Sequence, residues 1–315
     1  MLNYIKKTKI FKIIKPPFVF LYNKLYDCDI KGELLILKDK IKNILKRSPN
    51  IMTLEESIDY IIKNKCSVSR LGDGELKLII GLDVYFQPCI NDIGQRIKEV
   101  LQSEESNHIV GIPDVFGSLK KYRKKHRKFW ERHLSLYRQE WYNCLDMEKR
   151  YLNAFISRVY MIYKDRTNCS YYFKMIKELW NKRDIVIIEG CESRLGIGND
   201  LFDNAKSIKR ILCPKKNAYN RYDEILEQAK KIDKEKLILL AIGPTATILA
   251  YDLYKLGYQA VDIGHIDIEY EWFLQNVEDK VAIKNKYVGE AIGGENVENE
   301  NNVEYVNQII CRIMD

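Results

Sequence analysis

Asp73 and Glu75 stand two positions apart in the stretch SVSRLGDGELKLIIG, with Arg70 just before them and Gly72 and Gly74 alternating with the acids. Two carboxylates at this spacing suit a divalent cation. A hard ion such as Mg²⁺ or Mn²⁺ takes one or two protein carboxylates and fills its remaining positions with water and phosphate oxygens. Arg70 beside them offers a bidentate partner for an anion. The same residues also fit a plain turn, because Asp-Gly is a strong hairpin signal and apolar residues flank it on both sides. A D-x-E spacing is common in surface loops, so its meaning depends on what the fold gathers around it.

Three further groups follow short apolar, β-branched runs. After DIVIIEG comes CESRLGIGNDLF, with Ser193, Arg194, Gly196, Gly198 and Asn199 expected ahead of a helix. After KLILLAIG comes PTATILAYDL, in which Gly243 and Pro244 make a turn and Thr245 and Thr247 open a helix with unpaired backbone N–H groups. After QAVDIG comes His265, then IDIEYEW with Asp267, Glu269 and Glu271. Each has a plain counterpart: a capped junction, a loop of tight turns, a histidine satisfied in the core. Taken together, an arginine, two glycine-bearing loops and two helix N-termini at one sheet edge make a cradle for a diphosphate. His265 is then expected to join Asp73 and Glu75 as a metal ligand. Gly264 before it permits an unusual backbone angle, and Asp267 or Glu269 would hold its second ring nitrogen. Asp267, Glu269 and Glu271 are also the candidates for a base that deprotonates an acceptor, with Asp267 and Glu269 counted among the catalytic residues beside Asp73 and Glu75.

The elements that must position these groups are legible in outline. The runs FISRVYMIY, DIVIIEG, IKRILCP, KLILLAIG and QAVDIG read as strands, separated by helical stretches such as SYYFKMIKELWNK, NRYDEILEQAKKID and TATILAYDLYKLG. This alternation predicts an α/β fold, a Rossmann-like, mostly parallel sheet with helices on both faces, whose ligands gather at the carboxyl ends of the strands. Upstream, TLEESIDYIIKN opens with a capping box of Thr53 and Glu56, with Leu54, Ile58, Ile61 and Ile62 as its apolar face. Asn91 or Asp92 caps a helix bearing Ile93, Ile97, Val100 and Leu101, HIVGIP reads as a short buried strand, and a long helical region spans 119–150. The expected organisation is a basic N-terminal arm with helical additions (1–49), a catalytic unit (50–280) and a separable acidic tail (281–315).

A chain of 315 residues with 46% hydrophobic residues fills a sizeable core, and its eight scattered cysteines lack metal spacing and read as free thiols of a reducing, cytoplasmic compartment. The formal net charge is +8, with basic residues dense in SLKKYRKKHRKFWERH and acids in the tail. Trp130, Leu134, Tyr137, Trp141 and Leu145 recur at helical spacing, so the aromatics of the basic run belong to a buried stripe. No recognition motif or stacking platform accompanies the charge, which argues against nucleic acid as a partner. The N-terminal arm, MLNYIKKTKIFKIIKPPFVFLYNKLYD, is too charged to span a bilayer but offers peripheral contact with an anionic membrane surface.

SRLGDGE, SRLGIGNDLF, CPKKNAY and AIGPTATILAYDLYKLGYQAVDIGHIDIEYEW, in this order, resemble the bacterial glycosyltransferases of the GT-D fold, a family first catalogued as a domain of unknown function; the likeness covers roughly residues 50–275. The resemblance implies a Mn²⁺- or Mg²⁺-dependent transferase that takes a sugar, glucose or a related hexose, from a nucleotide donor such as a UDP-sugar to a glycan or glycoprotein acceptor, with Asp73-Gly74-Glu75 as the D-x-E metal motif. It also implies that Arg70, Gly72, Gly74, Ser193, Arg194, Gly198, Asn199, Asn217, Gly243, Thr245 and Thr247 bind the nucleotide sugar. Another nucleotide- or sugar-phosphate-using α/β transferase is the alternative within enzymes, disfavoured because the chain lacks a Walker P-loop and a G-x-G-x-x-G after a first strand. A noncatalytic basic binding module would instead use the 118–133 face.

Overall fold

Strands β5 (Asp184–Gly190) and β7 (Leu237–Ala241), read from DIVIIEG and KLILLAIG, are buried along nearly their whole length, as parallel strands covered on both faces must be. They sit inside one nine-stranded parallel sheet of the computed structural model, which describes residues 30–43, 46–298 and 302–314. In chain order the elements are α1 (Ile30–Asn43), β1 (Asn50–Ile51), α2 (Leu54–Asn64), β2 (Ser67–Arg70), α3 (Asp73–Ile79), α4 (Ile93–Gln102), β3 (His108–Ile112), α5 (Lys124–Cys144), β4 (Arg150–Asn153), α6 (Cys169–Lys177), β5, β6 (Ser207–Cys213), α7 (Tyr222–Ala229), β7, α8 (Pro244–Lys255), β8 (Gln259–Asp262), α9 (Ile266–Leu274), α10 (Val303–Gln308) and β9 (Ile309–Arg312). The fold is α/β with helices on both faces, as expected.

Strand order is β1-β4-β3-β2-β8-β7-β5-β6-β9. The chain runs outward from β2 through β3 to β4, then returns to build the other half, where β8 closes back against β2, with Val68 opposite Val261. The chain leaves β2 and β8 toward opposite sides of this junction, and the crevice above it is where an open α/β sheet presents its ligand site. Helix α8 packs across both strands of the junction.

Local signals hold where short-range chemistry dictates them. Thr53 and Glu56 exchange both bonds of the capping box at α2, and Trp130, Leu134 and Trp141 of α5 are buried while Tyr137 is half-buried. Asp73-Gly74 is not a hairpin: Gly72 caps α3, and the Glu75 carboxylate accepts the Gly72 N–H at 2.6 Å, an acid at the amino end of a helix where its charge is favoured.

Three expectations fail. FISRVYMIY is not a strand. The strand there is β4, one segment earlier, and Ala154–Ser157 is a 3₁₀ turn opened by the Asn153 side chain accepting from the Phe155 N–H. The apolar run is nonetheless buried, so burial without a strand explains its composition. No helix follows RLGIGN; turns occupy 191–205. The described residues of 281–315 do not stand apart as a tail, since β9 pairs in parallel with β6 and residues 285–298 pack onto the carboxyl edge of the sheet. Of the N-terminal arm, 1–29 lies outside the described residues, and α1 packs on α5 through a bidentate Arg138–Asp39 ion pair.

Candidate functional site

The carboxyl ends of β2 and β8 meet through Arg70. Its Nε donates to the Asp262 carbonyl (2.7 Å) and its Nη2 to the Asp262 carboxylate (2.6 Å). Nη1 reaches the Ala154 carbonyl (3.0 Å) and Ser157 Oγ (2.6 Å). With four of its five N–H groups committed in this way, Arg70 fixes the floor of the crevice. Gly264 is glycine for the same reason: its φ is +43°, and a Cβ there would lie 2.1 Å from Arg70 Nη2.

On this floor stand Asp73 and Glu75. Asp73 is a third exposed and lies 3.1 Å from Lys77 one turn on. Burial pushes the Glu75 carboxyl up to about 7, its bonds to the Gly72 and Glu75 N–H groups opposing this and the charges of Asp262 and Asp73 adding to it. Across the crevice, His265 caps α9 with its Nε2 3.2 Å from Glu290. Glu290 also pairs with Arg158 and Lys280. Burial disfavours the charge on Glu290, but Arg158 and His265 outweigh it and hold the carboxyl well below 4.5. Burial, followed by the charge of Arg158, lowers the His265 pKa.

The third wall is the amino end of α8. Gly243 has φ +61° and ψ −147°, which an L residue rarely adopts, and packs beside Phe86. Thr245 is fully buried with its hydroxyl unpartnered, whereas Thr247 donates to the Arg70 carbonyl and ties α8 to β2. Asn217 sits at φ 55° and donates its N–H to the Phe86 carbonyl, which fixes the 81–92 loop beside Gly243. Above it Tyr85 meets Lys216 and Glu295. Ser193 and Lys215 close the edge, with Lys215 on Glu192.

Several residues expected to face a donor are spent on the scaffold. Asp267 accepts from Lys286 (2.7 Å), the Gly196 N–H and Asn199, and Asn199 and Lys286 also bond Glu271. Glu269 is fully buried and accepts the Tyr160 and Met161 N–H groups through one oxygen, with the other unpartnered. Asp267 and Glu271 are therefore committed to Lys286 and Asn199, whereas Glu269 keeps one carboxylate oxygen without a partner. Arg194, 5% exposed, donates to the Asn285 and Glu298 carbonyls and anchors the 285–298 segment. Gly198, at φ +82°, has open space where a side chain would go. The crevice also contains groups that the sequence reading passed over: Arg158 lay in a run taken as a strand, and Glu290 and Lys280 lay at or beyond the end of the catalytic unit. Glu290 is one of several glutamates in an acidic stretch, with Glu295, Glu298 and Glu300, so the sequence did not single it out.

Among the described residues no three His, Cys, Asp or Glu side chains stand together as a metal cage. Asp73, Glu75 and His265 do not form one, and the ring nitrogen of His265 is turned to Glu290 instead. Two carboxylates at the head of α3 still fit a Mg²⁺ or Mn²⁺ that takes its other ligands from water and a diphosphate.

The chain resembles proteins already described. Residues 68–291 match the family model described as glycosyltransferase GT-D fold. A probable glycosyl transferase Gly of Streptococcus gordonii is 36% identical over 269 residues, and a glycosyltransferase GlyD of Streptococcus pneumoniae serotype 4 is 34% identical over 282. These alignments take in 85% and 89% of this chain but only 39% and 34% of the relatives, so the chain spans well under half their length. Among solved structures, one described as the highly conserved domain of unknown function 1792 with a distinct glycosyltransferase fold aligns with a TM-score of 0.82 at 39% identity, covering 90% of this chain and 99% of its own. A second, a glycosyltransferase of the same domain from Streptococcus sanguinis, aligns at 0.81 and 37%, covering 84% and 100%. With its nine-stranded parallel sheet and the D-x-E pair at the central crevice, the chain belongs to the glycosyltransferase GT-D fold family.

Proposed function

We propose that the protein is a metal-dependent glycosyltransferase that moves glucose or a related hexose from a UDP-sugar to a glycan or glycoprotein acceptor. The observation that carries this reading is the pair Asp73 and Glu75 on the floor of the β2/β8 crevice, where the Glu75 carboxyl is pushed up to about 7 by burial with Asp262 and Asp73 close by. Asp73 and Glu75 would hold a Mn²⁺ or Mg²⁺, which when bound neutralises the charge that develops on the leaving diphosphate. Around it the chain contributes fixed groups. The amino end of α8 at Gly243 brings its partial positive charge to the same edge, where it favours phosphate oxygens. Arg158, held by Glu290, adds a cation on the opposite wall. The Arg70–Asp262 pair below keeps the floor rigid, so these groups are in place before the donor arrives.

The test is thermal stabilisation by UDP and Mn²⁺ separately and together, followed by nucleotide release from a panel of UDP-sugars. The reading expects a shift that needs both ligands together, and a folded Glu75→Gln protein that loses the shift and the turnover. A variant that turns over donor as well as the parent overturns it.

A further inference from the structure

Helix α1 is amphipathic in an unusual sense, because both of its faces carry apolar residues. One face, Gly32, Leu35, Ile36 and Asp39, turns to the protein and is pinned on α5 by the Arg138–Asp39 pair, with Lys40 on Glu131 beside it. The other face carries Leu34, Leu37 and Ile41, which are 51%, 52% and 64% exposed. These three lie at i, i+3 and i+7 and form one stripe along the outside of the helix. Exposed Lys31, Lys38 and Lys42 flank it, and Glu33 is the one acid of α1 that is also exposed. The acids of the contact, Asp39 and Glu131, are both neutralised by ion pairs within it.

We propose that this outer face of α1 is a docking surface for an anionic lipid bilayer. Aliphatic side chains bordered by lysines are what an interfacial helix needs, the apolar stripe entering the acyl boundary while the ammonium groups meet the headgroups. Three aliphatic side chains on a convex helix present far less area than a stable second copy or protein partner requires, about 800 Å² on each side. A fluid headgroup layer, by contrast, needs no complementary shape. The sign of charge continues beyond the helix: residues 1–46 contain eleven lysines and four acids. Lys124, Lys125 and Lys128 of the neighbouring α5 are exposed as well. The inference is independent of the reaction assigned to the crevice.

Co-sedimentation of the full chain with vesicles tests it, using phosphatidylcholine alone and phosphatidylcholine mixed with phosphatidylglycerol. Two variants carry the argument, Leu34→Glu/Leu37→Glu/Ile41→Glu and Lys31→Glu/Lys38→Glu/Lys42→Glu. Because all six side chains are exposed, unchanged thermal melts are expected to show both variants folded. The expected result is partitioning onto the anionic vesicles only, reversed by salt, and weakened roughly tenfold or more in each variant. Equal partitioning onto neutral vesicles overturns the proposal. So does anionic binding that both variants retain, which would assign it to residues outside α1. Concentration-dependent self-association without vesicles that the aliphatic variant abolishes would assign the face to a second copy and overturn it too.

Discussion

Lys286 decides whether Asp267 and Glu271 serve structure or chemistry. Its ammonium is 3% exposed and lies 2.7 Å from Asp267 and 2.9 Å from Glu271, themselves 2% and 11% exposed. Lys286→Met keeps most of the aliphatic stem, so packing changes little, but strands two carboxylates that share one cation. Removing one partner of a buried ion pair costs about 3–5 kcal/mol, and the middle of that range applies because Asp267 keeps the Gly196 N–H and Asn199. Against a total stability of about 5–15 kcal/mol this is a large share. Urea unfolding followed by tryptophan fluorescence reads it, since the indole of Trp272 on the same helix donates to the Val281 carbonyl where the returning segment begins. Adding Asp267→Asn to Lys286→Met removes one stranded charge and is expected to recover part of the loss, a coupling that separate effects would not produce. A Lys286→Met protein within about 0.5 kcal/mol of the parent would show that the ammonium does not hold these acids. An Asp267→Asn protein of untouched stability and abolished turnover would return Asp267 to the chemistry.

In the metal-free protein the Glu75 carboxyl, at about 7 folded against 4.5 unfolded, binds its proton more tightly in the folded state, so stability falls as pH rises from 4.5 through 7. Glu75→Gln is expected to stabilise by about 1–3 kcal/mol more at about pH 8.5 than at about pH 5, after discounting for partial exposure; equal denaturation shifts at both ends refute this. Gly264→Ala drives a methyl into the Arg70 guanidinium at a positive φ and is expected to cost about 2–4 kcal/mol in urea melts; an unchanged midpoint would show that Arg70 does not underlie the turn. Arg158→Gln removes a charge that opposes protonation of His265, so the imidazole pKa should rise in an NMR titration; an unmoved or lowered value contradicts the arrangement.

The part of the fold that was legible is the part fixed by near neighbours. Runs of β-branched residues bounded by turns named β5, β6, β7 and β8, and Thr53 with Glu56 named the start of α2. FISRVYMIY misled because periodicity cannot separate a buried strand from a buried pad of turns, and what makes it a turn is distant: Arg70, 84 residues away, holds the Ala154 carbonyl. The 281–298 stretch reads as solvated tail by composition, yet its order comes from partners such as Arg158, 132 positions from Glu290. The site shows the same division. Sequence reveals which residues carry donors and acceptors, but not on what they are spent, so Arg70, Arg194 and Asn199 passed as ligands and Asp267 as a candidate base although the fold commits most of their polar groups.

Asp73 and Glu75 remain available because of where their spacing falls on a helix. Residues two apart do not share a helical face, so in mid-helix a D-x-E would point its acids apart. At a helix start the geometry differs: Asp73 opens α3 and lies near Lys77, while Glu75 folds back over Gly72 to cap it. Both carboxylates thereby remain at the amino end, above the β2/β8 junction, and the missing side chain at Gly72 leaves Glu75 Oε2 only 3.2 Å from where a Cβ would stand. A cation held by both acids has to share Glu75 with the Gly72 N–H. The cation would also relieve the repulsion that Asp262 and Asp73 exert on Glu75. Gly72 is thus explained by the close approach of the Glu75 carboxylate that caps the helix.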